Sequence, residues 1–173
     1  MRKNAKTKRI AEETLIKIDN IVKHVNRVQE NCIILGKYLI SSGKIDLGVA
    51  LIANGYCHDV SKFKGIEFQF MSPTQPTKED EAKLKLKLAI QHHQKVNPHH
   101  VEHWQSIHDM PDVYLAEFCC DILARSQEFG TNLREWIDDD ATKRFNFSKE
   151  DDVYKKIMEY VDILCQSPFE QIK

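Results

Sequence analysis

Residues 18–40, IDNIVKHVNRVQENCIILGKYLI, carry one apolar stripe at three- and four-residue steps. Ile18, Ile21, Val22, Val25, Val28, Cys32, Leu35 and Leu39 recur on one side of a helix, while lysine, arginine, glutamate and asparagine fill the other. The pattern reaches back to about Ile10 and stops at Ser41-Ser42-Gly43. A helix this long and one-sided has to be covered by others, so it predicts a helical bundle.

Working outward, the rest of the chain repeats the pattern. Asp46 predicts an N-cap for a second helix, from Leu47 to about His58, with apolar residues all round its axis, as a central buried helix would have. Residues 61–76 read as irregular or briefly helical. Thr77 and Asp80 give a T-x-x-D start signal for a third helix that passes Ala82, Leu86, Ala89, Ile90 and His93 and ends before Asn97-Pro98. A His-rich segment, 99–108, follows. Met110-Pro111-Asp112 opens a fourth helix, stopped by Gly130, and Ser148 with Asp151 announces a last one through Val153, Ile157, Tyr160, Val161 and Leu164. No alternating strand pattern of useful length is present. The reading is all-α: a single compact bundle of five to six helices over residues 10–173, preceded by a basic arm at residues 1–9.

Composition agrees with one globular domain. The chain has 173 residues, 42% hydrophobic and 29% charged, which excludes fibrous or wholly disordered classes. The longest apolar runs, Cys32–Ile40 and Leu47–Ala53, are too short to span a bilayer, and no secretory leader core is visible, so a cytoplasmic location without membrane attachment is expected. Net charge is −1; the first nine residues hold +5, which leaves −6 on the remainder. That balance gives no general reason to bind nucleic acid. Five cysteines without C-x-x-C spacing point to reduced, buried thiols, Cys57, Cys119 and Cys120 among them, rather than a disulfide frame. The run Asp138–Asp140 reads as a solvated loop, and the oligomeric state is left open.

The chemistry is concentrated in histidine. Six of eight histidines, His92, His93, His99, His100, His103 and His108, fall within 17 residues. His58-Asp59 pairs a neutral nitrogen donor with a charged oxygen donor, a combination suited to a divalent transition ion. Neighbours on a regular helix point about 100° apart, so the two can share an ion only where the helix ends or is distorted; the apolar pattern does fail just after Asp59. His24 borders the long stripe, and Asp121 sits among Cys120, Ile122 and Leu123, where a buried carboxylate needs a cation.

This order of residues resembles the HD superfamily of metal-dependent phosphohydrolases, in which a His, a His-Asp doublet and a later Asp hold an ion. Here those positions are His24, His58, Asp59 and Asp121. HDVSKF with Glu67-Phe68, HHQKVNPHHVEHW and MPDVYLAEFCCD also look like a little-characterised HD-like family of phages and bacteria, over roughly residues 20–165. The resemblance implies an HD-like bundle and one or two Mn, Fe, Co, Ni or Zn ions, the second held by His92 or His93 with His99 or His100. It implies hydrolysis of a nucleotide or similar small phosphate ester by metal-activated water, with Asp59, Lys62 and Glu102 as catalytic candidates. Lys62 and Trp104 are candidates for substrate contact, and Glu117, four residues before Asp121, supports a ligand. Two other readings fit the same residues: an HD-like di-iron oxygenase, or a non-catalytic helical module that binds a nucleotide or a protein.

Overall fold

The stripe of residues 18–40 forms the backbone of the computed structural model, which describes residues 2–71 and 80–166, with side chains from 10 and from 81 onward. Helix α1 runs over Arg2–Ser41, so the backbone of residues 2–9 continues the helix where a separate arm was expected. Ile21, Val28, Cys32, Leu35 and Leu39 are buried along one face. Gly43, at φ 86°, turns the chain back into α2, Ile45–Cys57, which lies against α1. The two helices meet backbone to backbone: a Cβ on Gly48 would stand 2.5 Å from the Gly36 carbonyl oxygen, and one on Gly55 would stand 2.7 Å from the Cys32 Cβ.

That close approach corrects two expectations for α2. It is an outer helix, not a central one: Gly48, Leu51 and Gly55 are buried, while Ile45, Val49 and Tyr56 face outward. A flat glycine face needs only one side to pack. Asp46 does not cap it either; the helix begins at Ile45 without a side-chain cap, and Asp46 lies in the first turn, where its charge suits the helix dipole. Cys57, expected inside, is exposed at its end.

The centre belongs to α5, Asp112–Phe129, entered through Pro111 and closed by Gly130 at φ 65°. Ten of its residues are buried. α1 and α2 cover one side, and α8, Asp152–Gln166, covers another with Ile157, Tyr160, Val161 and Leu164. α3, Gly65–Phe70, and α4, Asp80–Val96, pack on each other beside the 3₁₀ turn Val60–Phe63. The Thr77 start signal lies outside the described residues. Two 3₁₀ turns, Val101–His103 and Ile107–Asp109, carry the chain from α4 to α5.

Residues 131–147 hold more helix than the sequence suggested. Asn132 accepts from the N–H groups of Arg134 and Glu135 and starts α6, Leu133–Trp136. A π turn, Ile137–Ala141, joins it to α7, Thr142–Phe145. The acidic run 138–140 is therefore helical, and Asp138 takes Lys149 Nζ at 2.6 Å and the Tyr154 hydroxyl at 2.8 Å. Among the described residues there is no strand, and no helix is long and apolar enough to cross a membrane. The all-α class expected from periodicity is what the chain adopts.

Candidate metal centre

The end of α2 creates the distortion that a shared His-Asp site needs. His58 leaves the helix with φ −53° and ψ 130°, and Asp59 adopts a left-handed conformation at φ 55°, ψ 20°. A non-glycine residue held there costs of order 1–3 kcal/mol, so the surrounding packing must fix it. The effect is to bring the carboxylate of Asp59 back beside the His58 ring: Asp59 Oδ2 is 3.3 Å from His58 Nε2.

Other elements converge on the same carboxylate. From α1, His24 Nε2 lies 3.5 Å from Asp59 Oδ2 and 3.1 Å from Oδ1 of Asp121, which comes from α5. On the opposite edge, His93 Nε2 of α4 is 3.2 Å from Asp59 Oδ1, and His99 Nε2 is 3.5 Å from it. His100 Nε2 stands 2.8 Å from His93 Nε2. Asp59 thus divides the cluster: Oδ2 faces His24 and His58, with Asp121 beyond, and Oδ1 faces His93 and His99, with His100 beyond.

Carboxylates hold the far side of four rings. Nδ1 of His24 meets Glu128 at 2.9 Å, and Nδ1 of His93 meets Glu67 Oε2 at 2.8 Å. Glu117 Oε1 takes His58 Nδ1 at 3.0 Å and His99 Nδ1 at 3.2 Å, while Asn54 donates to Oε2 at 2.9 Å. A carboxylate on Nδ1 fixes the tautomer with its lone pair on Nε2, the arrangement found behind metal-ligating histidines.

The fit to an ion rests on what is left over. His24 Nε2, His58 Nε2, His99 Nε2, Asp59 Oδ1 and Asp121 Oδ1 are buried and make no hydrogen bond. Buried polar atoms are ordinarily paired, because each unpaired one costs about 1–3 kcal/mol. Donors about 2.0–2.2 Å from a common ion lie about 2.9–3.5 Å apart; His24 to Asp121 and His58, His93 and His99 to Asp59 fall there, while His58 and His99 stand 3.9 and 4.0 Å from Asp121. His24, His58 and Asp121 form one group of converging donors, and Asp59, His93, His99 and His100 form the other. A third grouping of His58, His99 and Glu117 uses the Nδ1 side and is better understood as the hydrogen-bonded support just described.

Electrostatics carries the same message. Burial alone would lower the His58 pKa, but Asp59, Glu117 and Asp121 overcome it and raise it to about 10. Burial would lift the carboxyl groups, yet His58 and Lys62 hold Asp59 well below the usual range, and His24, His58 and His99 do so for Asp121. Glu117 is brought down to about 2 against its burial by His58 and His99. The centre demands positive charge. On the other edge, burial and the neighbouring His99 and His93 drive His100 down to about 3, and burial lowers His93, so both rings are neutral donors.

Not every expected residue arrives. Of the His92-His93 pair, only His93 joins the cluster; the His92 side chain is 51% exposed and its Nδ1 goes to Glu67 Oε1 at 2.6 Å. Both His99 and His100 are present. Lys62 is buried, with its ammonium on Asp59 Oδ2. Glu102 lies at the mouth, bound to Arg144 at 2.6 Å. Trp104, expected at the substrate, instead packs against the core beside Tyr114 and donates to the Pro98 carbonyl at 2.8 Å. Glu67, quoted from sequence only beside HDVSKF, and Glu128 were given no role there, although Glu117, Asp121 and Glu128 form an acidic face on α5 at helical spacing.

The DUF5662 family model, whose description is a family of unknown function, matches residues 15–166. The chain belongs to the DUF5662 family. That span includes every donor of the cluster and the carboxylates behind them, so the centre lies inside the DUF5662 domain. Curated proteins and solved structures give no match.

Proposed function

We propose that the protein is a metal-dependent phosphohydrolase acting on a nucleotide or similar small phosphate ester. The observation that carries the proposal is the set of five buried, unpaired donor atoms facing one another across Asp59. His24, His58, Asp59 and Asp121 would hold one ion, and Asp59, His93, His99 and His100 a second. Five imidazoles favour Mn, Fe, Co, Ni or Zn over Mg. An ion bound there would supply a water of near-neutral pKa and would polarise a phosphoryl oxygen.

The chain's own residues do the rest. Glu117, Glu67 and Glu128 accept from Nδ1 of four rings, which turns Nε2 of His24, His58, His93 and His99 toward the site. Lys62, Arg125, His93, His100 and Asp121 line a cleft of about 480 Å³, a volume suited to a small ligand. Lys62, paired with Asp59, and Arg125, paired with Glu128 at 2.9 Å, are the cations on that cleft, and their remaining N–H groups would meet a phosphate there. Glu102 enters as a residue of the rim, its carboxylate engaged by Arg144.

The test is phosphate release by metal-loaded protein from mono-, di-, tri- and cyclic nucleotides, beside a variant carrying His58→Ala and Asp59→Ala. Turnover by the native chain and none by the variant, with helical circular dichroism retained, is the expected result; turnover in the variant would refute the proposal. Three imidazoles beside one carboxylate in the second subsite would also suit redox-active iron. Oxygen consumption by an iron-loaded sample without phosphate release would favour the oxygenase.

A further inference from the structure

The cleft has two unlike sides. Its floor is the metal centre, and its opposite wall is built by residues 129–145, where Phe129, Trp136, Arg144 and Phe145 line it. Phe129 is 68% exposed, the highest value among the large hydrophobic residues described. It is the last residue of α5, held beside Gly130 in its left-handed turn. Arg144 lays its guanidinium over the Phe145 ring at 4.9 Å, and Phe145 is backed edge-on by Phe118 at 5.9 Å. The result is a supported flat surface with cationic character on its outer face.

The π turn places this surface. Thr142 N–H bonds back to the Ile137 carbonyl, five residues away, so one residue is added to the helical register between Trp136 and Arg144. Such insertions recur at functional sites because they re-aim the side chains that follow. Arg144 also reaches across the cleft to Glu102 at 2.6 Å, which ties this wall to the loop that carries His99 and His100. Only part of its five-donor fork is used by that bond.

We propose that residues 129–145 are the specificity element of the cleft, taking the flat ring of a phosphate ester, a nucleobase, against Phe129, Phe145 and the Arg144 guanidinium. The phosphate then lies toward Lys62 and Arg125 over the metal floor. The inference rests on the phosphohydrolase reading for the direction in which the ligand lies, and it adds the chemistry of the part that is not hydrolysed. An aliphatic phosphate would leave the aromatic wall wet, and a ring without phosphate would bring no anionic oxygen to the metal floor or to the N–H groups that Arg125 has left over from Glu128. Neither satisfies both sides.

The experiment compares ribose 5-phosphate with the four ribonucleoside 5′-monophosphates, which share its sugar and phosphate and differ by the ring. Calorimetric binding is measured on metal-loaded protein, together with turnover. At least one nucleotide is expected to bind about tenfold or more tightly than ribose 5-phosphate, the size of one base stacked on an aromatic side chain. Phe129→Ala, an exposed position that the fold tolerates, should shrink that gap to threefold or less, and Arg144→Gln should also narrow it. Equal binding of all five ligands, binding of none, or an unchanged gap in Phe129→Ala overturns the proposal. Hydrolysis of all five at one rate with equal binding removes the specificity element and leaves the phosphohydrolase standing. Ring-dependent binding without any turnover does the reverse.

Discussion

Behind the converging donors, Glu117 reaches both halves of the candidate metal centre, and replacing it should disturb both. Its Oε1 accepts from His58, which faces Asp121, and from His99, which faces the His93 side, at 3.0 and 3.2 Å. In Glu117→Gln both bonds lose their charge assistance. A bond to a charged acceptor contributes about 1.5–3 kcal/mol and one to a neutral acceptor about 0.5–1.5 kcal/mol, so the loss is about 1–1.5 kcal/mol at each ring. Together that is about 2–3 kcal/mol, close to the 10- to 100-fold loss of metal affinity typical for such supports, about 1.4–2.7 kcal/mol. One effect opposes it: Glu117 helps keep His58 protonated, with a pKa of about 10, and that proton competes with the ion. Raising the pH weakens this competition, so the defect should be larger at pH 8.5 than at pH 7. Competition titrations against a chromophoric chelator, with Zn²⁺ or Co²⁺, measure it directly. Glu128→Gln, which among the described histidines reaches His24 and otherwise pairs with Arg125 and Arg27, should weaken one binding step and not the other. Unchanged affinity of Glu117→Gln at pH 8.5 would refute the reasoning.

Other outcomes follow from the same geometry. The folded pKa of Glu117 is depressed to about 2 from 4.5, and Asp59 and Asp121 are depressed as well, so their stabilisation is present above about pH 4.5 and is lost as pH falls toward 2. His58 is raised from 6.5 to about 10, so its contribution to the metal-free protein is full below pH 6.5 and disappears as pH rises through 10. His100, lowered to about 3, and His93, also lowered, cost stability below pH 6.5, so urea midpoints of metal-free protein should climb to a maximum near pH 6.5; a midpoint rising steadily to pH 10 would contradict this. Gly48→Ala puts a methyl 2.5 Å from the Gly36 carbonyl and 2.7 Å from Ile40 Cγ1, and should destabilise by about 1–3 kcal/mol, seen as a lower Tm. An unaltered Tm would mean that α1 and α2 do not meet so closely. His93→Ala should lower the metal content of the second subsite, whereas His92→Ala, a half-exposed position, should leave it as in the native chain; equal losses would show the two histidines to be equivalent.

The long stripe of α1 was legible because a single period of 3.6 governs it, and α5 was legible because Pro111 and Gly130 are local stops whose backbone demands do not depend on the rest of the molecule. The order His24, His58-Asp59, Asp121 pointed to residues that do meet in space. The placement of α2 was not legible: its apolar residues surround the axis, and only the opposed glycines Gly36 and Gly48 show which face packs. Residues 131–147 escaped because a π turn breaks the period on which the reading depends, and because Asp138–Asp140 look like loop residues until Lys149 and Tyr154 answer Asp138. The choice between His92 and His93 was available in the helix phase. His93 follows buried Ala89 by one turn and precedes buried Asn97 by another, whereas His92 shares its face with exposed Leu88 and Val96. Glu67 gave no such signal, since it comes from a six-residue helix whose position is set by tertiary packing.

Elemental analysis of the purified chain tests the central claim most directly, with the His58→Ala, Asp59→Ala variant alongside and each sample also loaded with Mn, Fe, Co, Ni or Zn and dialysed. The account predicts one to two transition ions per native chain and a loss of bound metal in the variant at unchanged helical content. A native chain that retains none of the five ions, or a variant that retains as much as the native chain, would contradict it.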